Sequence, residues 1–356
     1  MQPDVFELFG RPVRWYGILM AASMLITLFW AVKLMKERKL DGDQLWEGTF
    51  LMIVAGIIGA RLVYVVTSWG SDFAPLLTDG LQLRDLYDIV AFWNGGISIH
   101  GSLIFGGIAA WWFFRNRPVS FMQVTDSLAP GIALGVFLVR IGNFMNGDIT
   151  GWKVEKVPWN DPSSWDFPSK IPWAMNFPYD EWHAQVGAYG DPSVIIWRHP
   201  TEIYGMIVGL VTFLVVWYLY RKKLYDGVCF YGWIITYSLT RSLIEEPFRA
   251  VHWHWPVAGG PDYGWQIFTM TQLVSIPLIV GSIILTIYTR NLFLRKREQY
   301  QKQGIPYPLY VAHERGIKLS KEQLAALGIP RKIKPPVEWE MGRAYELAKK
   351  RQAKAA

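Results

Sequence analysis

Seven apolar runs set the limits on how this chain folds. They lie near residues 13–35, 45–66, 92–114, 125–146, 200–220, 227–247 and 267–289. Each approaches or exceeds the roughly 20 residues that a helix needs to cross a bilayer. The expectation is an all-α integral membrane protein with seven transmembrane helices. Composition agrees: 51% of residues are hydrophobic and only 18% are charged, and the mean hydropathy is +0.15, whereas a soluble domain carries about 25% charge. The fifth, sixth and seventh runs are the cleanest. The third and fourth are studded with glycines, which leaves room for tilt or interruption. The first ten residues hold Asp4 and Glu7 and no basic stretch, so the first run reads as a retained helix and not as a cleaved signal peptide.

Basic residues mark alternate ends of the runs. Lys33, Lys36, Arg38 and Lys39 follow the first, Arg115 and Arg117 the third, Arg221, Lys222 and Lys223 the fifth, and Arg290, Arg295, Lys296 and Arg297 the seventh. The positive-inside rule makes these ends cytoplasmic. The N-terminus is then outside and the C-terminus cytoplasmic. Residues 1–290 form the transmembrane domain. Within them, 147–199 is too long for a bare connector and is dense in Trp, Pro and Asp, so it is read as a small periplasmic or extracellular head between helices 4 and 5. Residues 291–356 form a basic cytoplasmic tail, with 15 Lys and Arg against 6 Asp and Glu after Asn291. It suits anionic lipid, or is a solvated helix with extra charge. Nucleic acid is not an expected partner for a tail held at a membrane.

The orientation gives each intramembrane polar residue a depth. Arg140, Asn143 and Asn146 end the fourth run, and His100 lies early in the third. Trp15 and Tyr16 open the first, Arg61 and Tyr64 close the second, and Glu202 and Tyr204 begin the fifth. Tyr237, Arg241 and Glu245, at i, i+4 and i+8, share a face of the sixth. All converge on the outer half of the membrane. Charge at such depth is costly and usually functional. Three arginines against two or three acids leave a positive surplus, which suits a phosphate held in bidentate fashion. A structural network of paired Arg and Glu is the other reading. The glycines, including Gly131-x-x-x-Gly135, read chiefly as close helix packing, and Gly147 and Gly151 as turn formers. The single cysteine, Cys229, makes no disulfide or metal site. His252-Trp-His254 reads as part of an aromatic belt. A transporter fits poorly, since the polar residues avoid the midplane and no internal repeat is visible. A lipid-binding scaffold is the remaining rival.

Arg140-Ile-Gly-Asn-Phe-Met-Asn-Gly-Asp-Ile-Thr-Gly151, with Trp15-Tyr16-Gly17, Gly95-Gly-Ile-Ser-Ile-His-Gly101, Asp126, Arg198-His-Pro200 and Tyr237-x-x-x-Arg241-x-x-x-Glu245, resembles the bacterial phosphatidylglycerol–prolipoprotein diacylglyceryl transferase family. The resemblance covers roughly residues 10–290 in order. Two departures stand out. The family usually has Glu where this chain has Asp148. Glu245 is followed by Glu246-Pro-Phe-Arg249, one residue longer than the usual approach to the next arginine, so no role is carried onto Arg249. The 147–199 segment and the tail are also longer than is common.

The resemblance implies an enzyme of the bacterial cytoplasmic (inner) membrane, multi-pass, with its active site toward the outer leaflet. It would move the diacylglyceryl group of phosphatidylglycerol onto the lipobox cysteine of a preprolipoprotein, forming a thioether and releasing glycerol phosphate. Its partners are those two substrates and the surrounding membrane lipids, and neither a cofactor nor a metal is expected. Such alkyl transfer needs a deprotonated thiol and a stabilised phosphate leaving group. Arg140 and Arg241 would hold the phosphate, and Asn143 and Asn146 would orient the head group. His100 is the candidate base. Alternatively an arginine stabilises the thiolate and His100 is structural. Tyr16 and Tyr237 would hold the lipid phosphate or the histidine. Asp126, Asp148, Glu202 and Glu245 would position the arginines, with Gly151 closing the signature segment.

Overall fold

The computed structural model describes residues 3–8, 11–38, 40–69, 73, 87, 89–91, 96, 98–115, 117, 119–147, 149–154, 171–222, 225–250, 258–260 and 265–302. Asp148, His252-Trp-His254, the start of the 147–199 segment after 154 and most of the basic tail lie outside them. The chain divides into two compact units. One comprises 1–31 with 125–299, the other 32–124 with 300–356.

The protein is mostly helical, and five helices among the described residues are long and apolar enough to cross a membrane. These are α1 (Trp15–Glu37), α2 (Asp43–Thr67), α4 (Phe121–Asn146), α6 (Thr201–Lys222) and α8 (Met270–Lys302). Their uncovered faces are apolar: Phe50, Leu214 and Ile284 are 74%, 56% and 60% exposed. Such surface suits lipid, where helices gain nothing by hiding leucine. The third and sixth runs form shorter helices than the sequence suggests. α3 spans Ile99–Phe114, 16 residues, or about 24 Å. Ahead of it the chain turns at Gly96, whose φ is +70°. α7 covers Val228–Thr240 and continues as a π-helical turn over Arg241–Glu245, so it stops short of Pro247.

Among the described residues, three short ladders punctuate the helices. β1 (Asp4–Leu8) and β2 (Arg11–Arg14) form an antiparallel hairpin that pairs Asp4 with Arg14 and leads directly into α1. The apolar runs gave no hint of it. β3 (Met175–Asn176) pairs with β4 (Trp197–Arg198), with the short helix α5 (Glu181–Gln185) between them. β5 (Ala258–Gly260) pairs with β6 (Trp265–Ile267).

In the second unit α2 and α3 interlock through glycines. A Cβ at Gly101 would meet the Gly59 backbone, and one at Gly59 the Phe105 ring. Ser102 donates to the Gly56 carbonyl at 3.1 Å. Arg61 on α2 donates to the carbonyls of Ile89 and Gly96 at 2.9 and 2.7 Å, and so shapes the chain that enters α3. Its guanidinium lies over Tyr64 and Phe73.

In the first unit α4 packs on α1 through Gly131, Gly135 and Gly142, which face Thr27, Ser23 and Tyr16. Gly209 of α6 meets the α4 backbone at Phe137. The start of α4 serves α7. The Asp126 carboxylate accepts the backbone N–H groups of Gly227, Cys229 and Phe230 at 2.8, 3.0 and 3.0 Å. It therefore satisfies the orphan donors at a helix N-terminus and complements its dipole.

Candidate active site

Arg140, Asn143 and Asn146 follow one another at three-residue spacing, so the last turns of α4 put them on one side. All three are buried, at 6%, 3% and 5% exposure. Arg140 Nη2 lies 2.5 Å from Glu245 Oε1, and the Glu245 side chain is wholly enclosed. The pair is possible because α6 offers Gly205 there. A Cβ on Gly205 would lie 2.5 Å from Arg140 Nε and 3.0 Å from Glu245 Oε2. Glu202, also fully buried, precedes Gly205 by three residues on the same side of α6. The Tyr16 backbone closes on this end of α4, with its Cα 2.9 Å from where a Gly142 Cβ would stand.

Arg241 opens the π-helical turn. Its Nη1 donates to the Tyr237 hydroxyl at 2.7 Å, and the Tyr237 ring stacks on Trp233 at 5.8 Å and 8°. The wide turn is closed by Glu246 N–H donating to the Arg241 carbonyl at 3.0 Å. Glu245 and Glu246 are consecutive, yet both are fully buried. Glu245 turns to Arg140. Glu246 lies between Arg241, at 3.7 Å, and Arg249, at 3.9 Å. Tyr237 and Arg241 thus keep the expected i, i+4 partnership, while Glu245 serves a different arginine. Burial and the guanidinium of Arg241 hold Arg249 below its ordinary pKa, with Arg140 adding to the effect.

The signature segment leaves α4 through backbone that favours glycine. Gly147 has φ +72° and Ile149 has φ +67°. A β-branched residue in that region is a real outlier, costing on the order of 1–3 kcal/mol, and such strain gathers at functional sites. Thr201 secures the turn by donating to the Ile149 carbonyl at 2.5 Å. The next residues thread between two segments. Gly151 N–H donates to the His199 carbonyl at 2.9 Å, Trp152 N–H to the Phe248 carbonyl at 2.9 Å, and Ala250 N–H to the Thr150 carbonyl at 3.3 Å. A Cβ on Gly151 would lie 2.5 Å from His199 Cβ and 2.7 Å from the Phe248 carbonyl oxygen. Gly151 is where 198–199 and 248–249 close on the signature loop.

A second polar knot sits beside that thread, and sequence reasoning missed most of it. Asp180 Oδ2 is 3.0 Å from Arg198 Nε, and Oδ1 is 2.7 Å from His183 Nδ1, with all three side chains fully buried. His183 Nε2 reaches the Val194 carbonyl at 3.0 Å, and Arg198 Nη1 donates to the Gly151 carbonyl at 2.7 Å. Only Arg198 carried a sequence signal. Burial and the Arg198 charge push Lys153 down to about 8. His199 is pushed down to about 4 by burial, so its ring is neutral near pH 7. Trp173 Nε1 donates to the Tyr204 hydroxyl at 2.7 Å. The Tyr204 hydroxyl also lies 3.1 Å from His199 Nδ1, within hydrogen-bond distance.

The structure brings Arg140, Asn143, Asn146, Tyr16, Glu202, Glu245, Tyr237, Arg241 and Gly151 into the first unit. Asp126 belongs to the same unit but lies at the other end of α4: fourteen residues, about 21 Å, separate it from Arg140, and its carboxylate is taken up by the start of α7. It supports a helix and not an arginine. His100 begins α3 in the second unit, and its side chain lies outside the described residues. Glu246 and Arg249 are the additions. Their only sequence signal was the extra residue between Arg241 and Arg249. Among the described residues no group of three or more His, Cys, Asp or Glu is arranged to hold a metal ion.

Residues 3–288 match the family model described as prolipoprotein diacylglyceryl transferase. The chain is 31% identical over 288 residues to the phosphatidylglycerol–prolipoprotein diacylglyceryl transferase of Thermus thermophilus, covering 76% of this chain and 92% of that one. It is 32% identical over 303 residues to the protein of the same name from Deinococcus radiodurans, covering 80% and 84%. A Prochlorococcus marinus protein of that name is 32% identical over 291 residues, covering 78% and 86%.

Proposed function

Because the chain belongs to the prolipoprotein diacylglyceryl transferase family, we propose that the buried arginine cluster at the end of α4 is the site where it cleaves its lipid. The protein transfers the diacylglyceryl group of phosphatidylglycerol to prolipoproteins. The acceptor is the cysteine thiol of a lipobox. Sulfur attacks the glyceryl carbon that bears the phosphate ester, a C–S bond forms, and the C–O bond to phosphate breaks. Glycerol phosphate leaves with the electron pair, and the thiol proton passes to a base. A departing phosphate needs fixed positive charge more than it needs a nucleophile on the enzyme.

Arg140 and Arg241 hold that phosphate, Asn143 and Asn146 orient the glycerol head group, and Tyr16 and Tyr237 complete the contact. The observation that supports this best is the fixing of Arg140 by Glu245 within 2.5 Å, on a helix end that also buries two asparagines. Glu245 and Glu202 keep guanidinium groups in place. Asp148 does the same from the signature turn. His100 takes the thiol proton, its imidazole suiting work near neutral pH. Arg61 supports the approach to His100 through the Ile89 and Gly96 carbonyls.

The membrane arrangement follows the charge pattern. Seven spans, two of them the shorter α3 and α7, cross the bacterial cytoplasmic membrane with the N-terminus outside. The arginine cluster faces the outer leaflet, 147–199 forms an outer head, and 291–356 lies on the cytoplasmic side.

The deciding assay uses purified chain in detergent with phosphatidylglycerol and a lipobox peptide, following glycerol phosphate release and peptide mass. Release that requires the peptide cysteine, with a diacylglyceryl mass gain, is expected. Arg140→Gln and Arg241→Gln should abolish it while the protein stays folded. Full activity in either variant sinks the phosphate assignment. His100→Gln should cost about 10²–10⁴ in rate if it is the base, and a loss below about tenfold makes it structural.

A further inference from the structure

The π-helical turn puts two adjacent carboxylates inside the protein, and each has one oxygen, Oε2, that accepts no hydrogen bond. Successive residues of an ordinary helix point about 100° apart, so a buried Glu245 normally sends residue 246 toward the surface. Here the Arg241–Glu245 turn is one residue wider, and Glu246 is also enclosed, its side chain 1% exposed. Oε1 accepts the Thr269 hydroxyl at 3.0 Å. Oε2 lies 3.7 Å from Arg241 Nε and 3.9 Å from Arg249 Nη1. Both separations are too long for hydrogen bonds. Glu246 Oε2, Arg241 Nε and Arg249 Nε are buried and accept or donate no hydrogen bond. A guanidinium N–H buried without an acceptor is expensive. Yet the Arg249 backbone is well held: Gln266 Nε2 donates to its carbonyl at 2.6 Å, and it bridges to Gly151. The main chain is fixed while two charged heads share one loose counter-ion.

We propose that Glu246 is a displaceable counter-ion, shared by Arg241 and Arg249 in the free enzyme and exchanged for the lipid phosphate when substrate binds. Arg249 then joins Arg241 as the second arm of a clamp on the phosphate. Phosphate oxygens supply what the long contacts lack, since they accept charge-assisted bonds from both Nε groups. Glu246 stays anchored on Thr269 and reclaims the two arginines as glycerol phosphate departs. It is a positioning residue that sets how tightly the phosphate of substrate and product is held. The proposal rests on the assignment of Arg241 to the lipid phosphate.

The test is steady-state kinetics in detergent with phosphatidylglycerol and a lipobox peptide, with glycerol phosphate as added inhibitor. Glu246→Gln keeps an acceptor for Thr269 and removes the competing charge. It should lower both the KM for phosphatidylglycerol and the inhibition constant of glycerol phosphate, on the order of tenfold, the value of one charge-assisted bond. Arg249→Gln should raise both constants by a similar factor, and Arg249→Lys should recover part of the loss. A fall in kcat with both constants unchanged in Glu246→Gln makes the residue structural and overturns the proposal. If Glu246→Gln fails to fold, as judged by gel filtration and thermal unfolding, the Arg249→Gln and Arg249→Lys pair decides, and constants unchanged in both overturn it. Wild-type kinetics in the Glu246 and Arg249 variants beside an inactive Arg241→Gln would remove the clamp and leave the phosphate assignment standing. Full activity in Arg241→Gln would remove both.

Discussion

Gly205 does for Arg140 what no larger residue could, because the guanidinium occupies the space of its missing side chain. Gly205→Ala would set a methyl 2.5 Å from Arg140 Nε and push the charge off Glu245. The arginine can move, so the cost falls on geometry. A misplacement of about 1 Å can cost on the order of 10²-fold in rate, and that loss is expected in thioether formation with little change in thermal unfolding. Gly209→Ala is the contrast. Its methyl would meet the Phe137 backbone at 2.8 Å, which cannot step aside, so it should lower the melting temperature instead. Equal effects of the two substitutions on stability would contradict this account. At this scale the sequence was informative where spacing alone decides. Arg140, Asn143 and Asn146 could be placed on one side because helix geometry does so. Gly205 could not be singled out, because nothing local to α6 says that an arginine from α4 will lie against it. The pairing of Asp180 with Arg198 and His183 was hidden for the same reason.

Among elements, α7 depends at its start on a single side chain. There Asp126 accepts three backbone N–H groups. Asp126→Ala leaves those donors buried without a partner, a cost of about 1–3 kcal/mol for each such group, and should destabilise or misfold the protein. Asp126→Asn retains one acceptor oxygen and should be milder. In either variant the folded fraction should keep its KM for phosphatidylglycerol, since the residue is about 21 Å along α4 from Arg140. A raised KM with unchanged stability would return Asp126 to the substrate site. At the other end, the π-helical turn redirects Glu245 and Glu246. The i, i+4, i+8 reading of Tyr237, Arg241 and Glu245 held for the first pair and missed the division of labour after it. A π-turn has no periodicity of its own. Its one trace was a residue too many before Arg249. The five long helices were legible because twenty apolar residues leave few alternatives. The β1–β2 hairpin was not, because its strands are short and polar enough to pass for a tail.

Across the whole molecule, acid and orientation offer separate tests. His199 has a folded pKa of about 4, below the ordinary value near 6.5. The unfolded chain therefore binds a proton first as pH falls. Stability contributed by the neutral ring is full above about pH 6.5 and is lost as pH drops toward 4. The wild-type melting temperature should fall over that window, and His199→Gln should flatten the fall. An identical pH profile in the variant would show that the buried His199 ring is not the acid-sensitive element. The charge pattern makes the second test. If basic ends are cytoplasmic, residue 185 in the head and residue 221 at the end of α6 lie on opposite sides. Both are exposed, and the native Cys229 is buried, so background labelling by a membrane-impermeant thiol reagent should be low. In intact cells stripped of their outer barrier, Gln185→Cys should label directly. Arg221→Cys should label only after the membrane is permeabilised. The reverse pattern would turn the arginine cluster toward the cytoplasm, where a secreted precursor's cysteine could not meet it after export. The enzyme's chemistry and its topology would then be in conflict, so this labelling tests the proposed function as directly as it tests the fold.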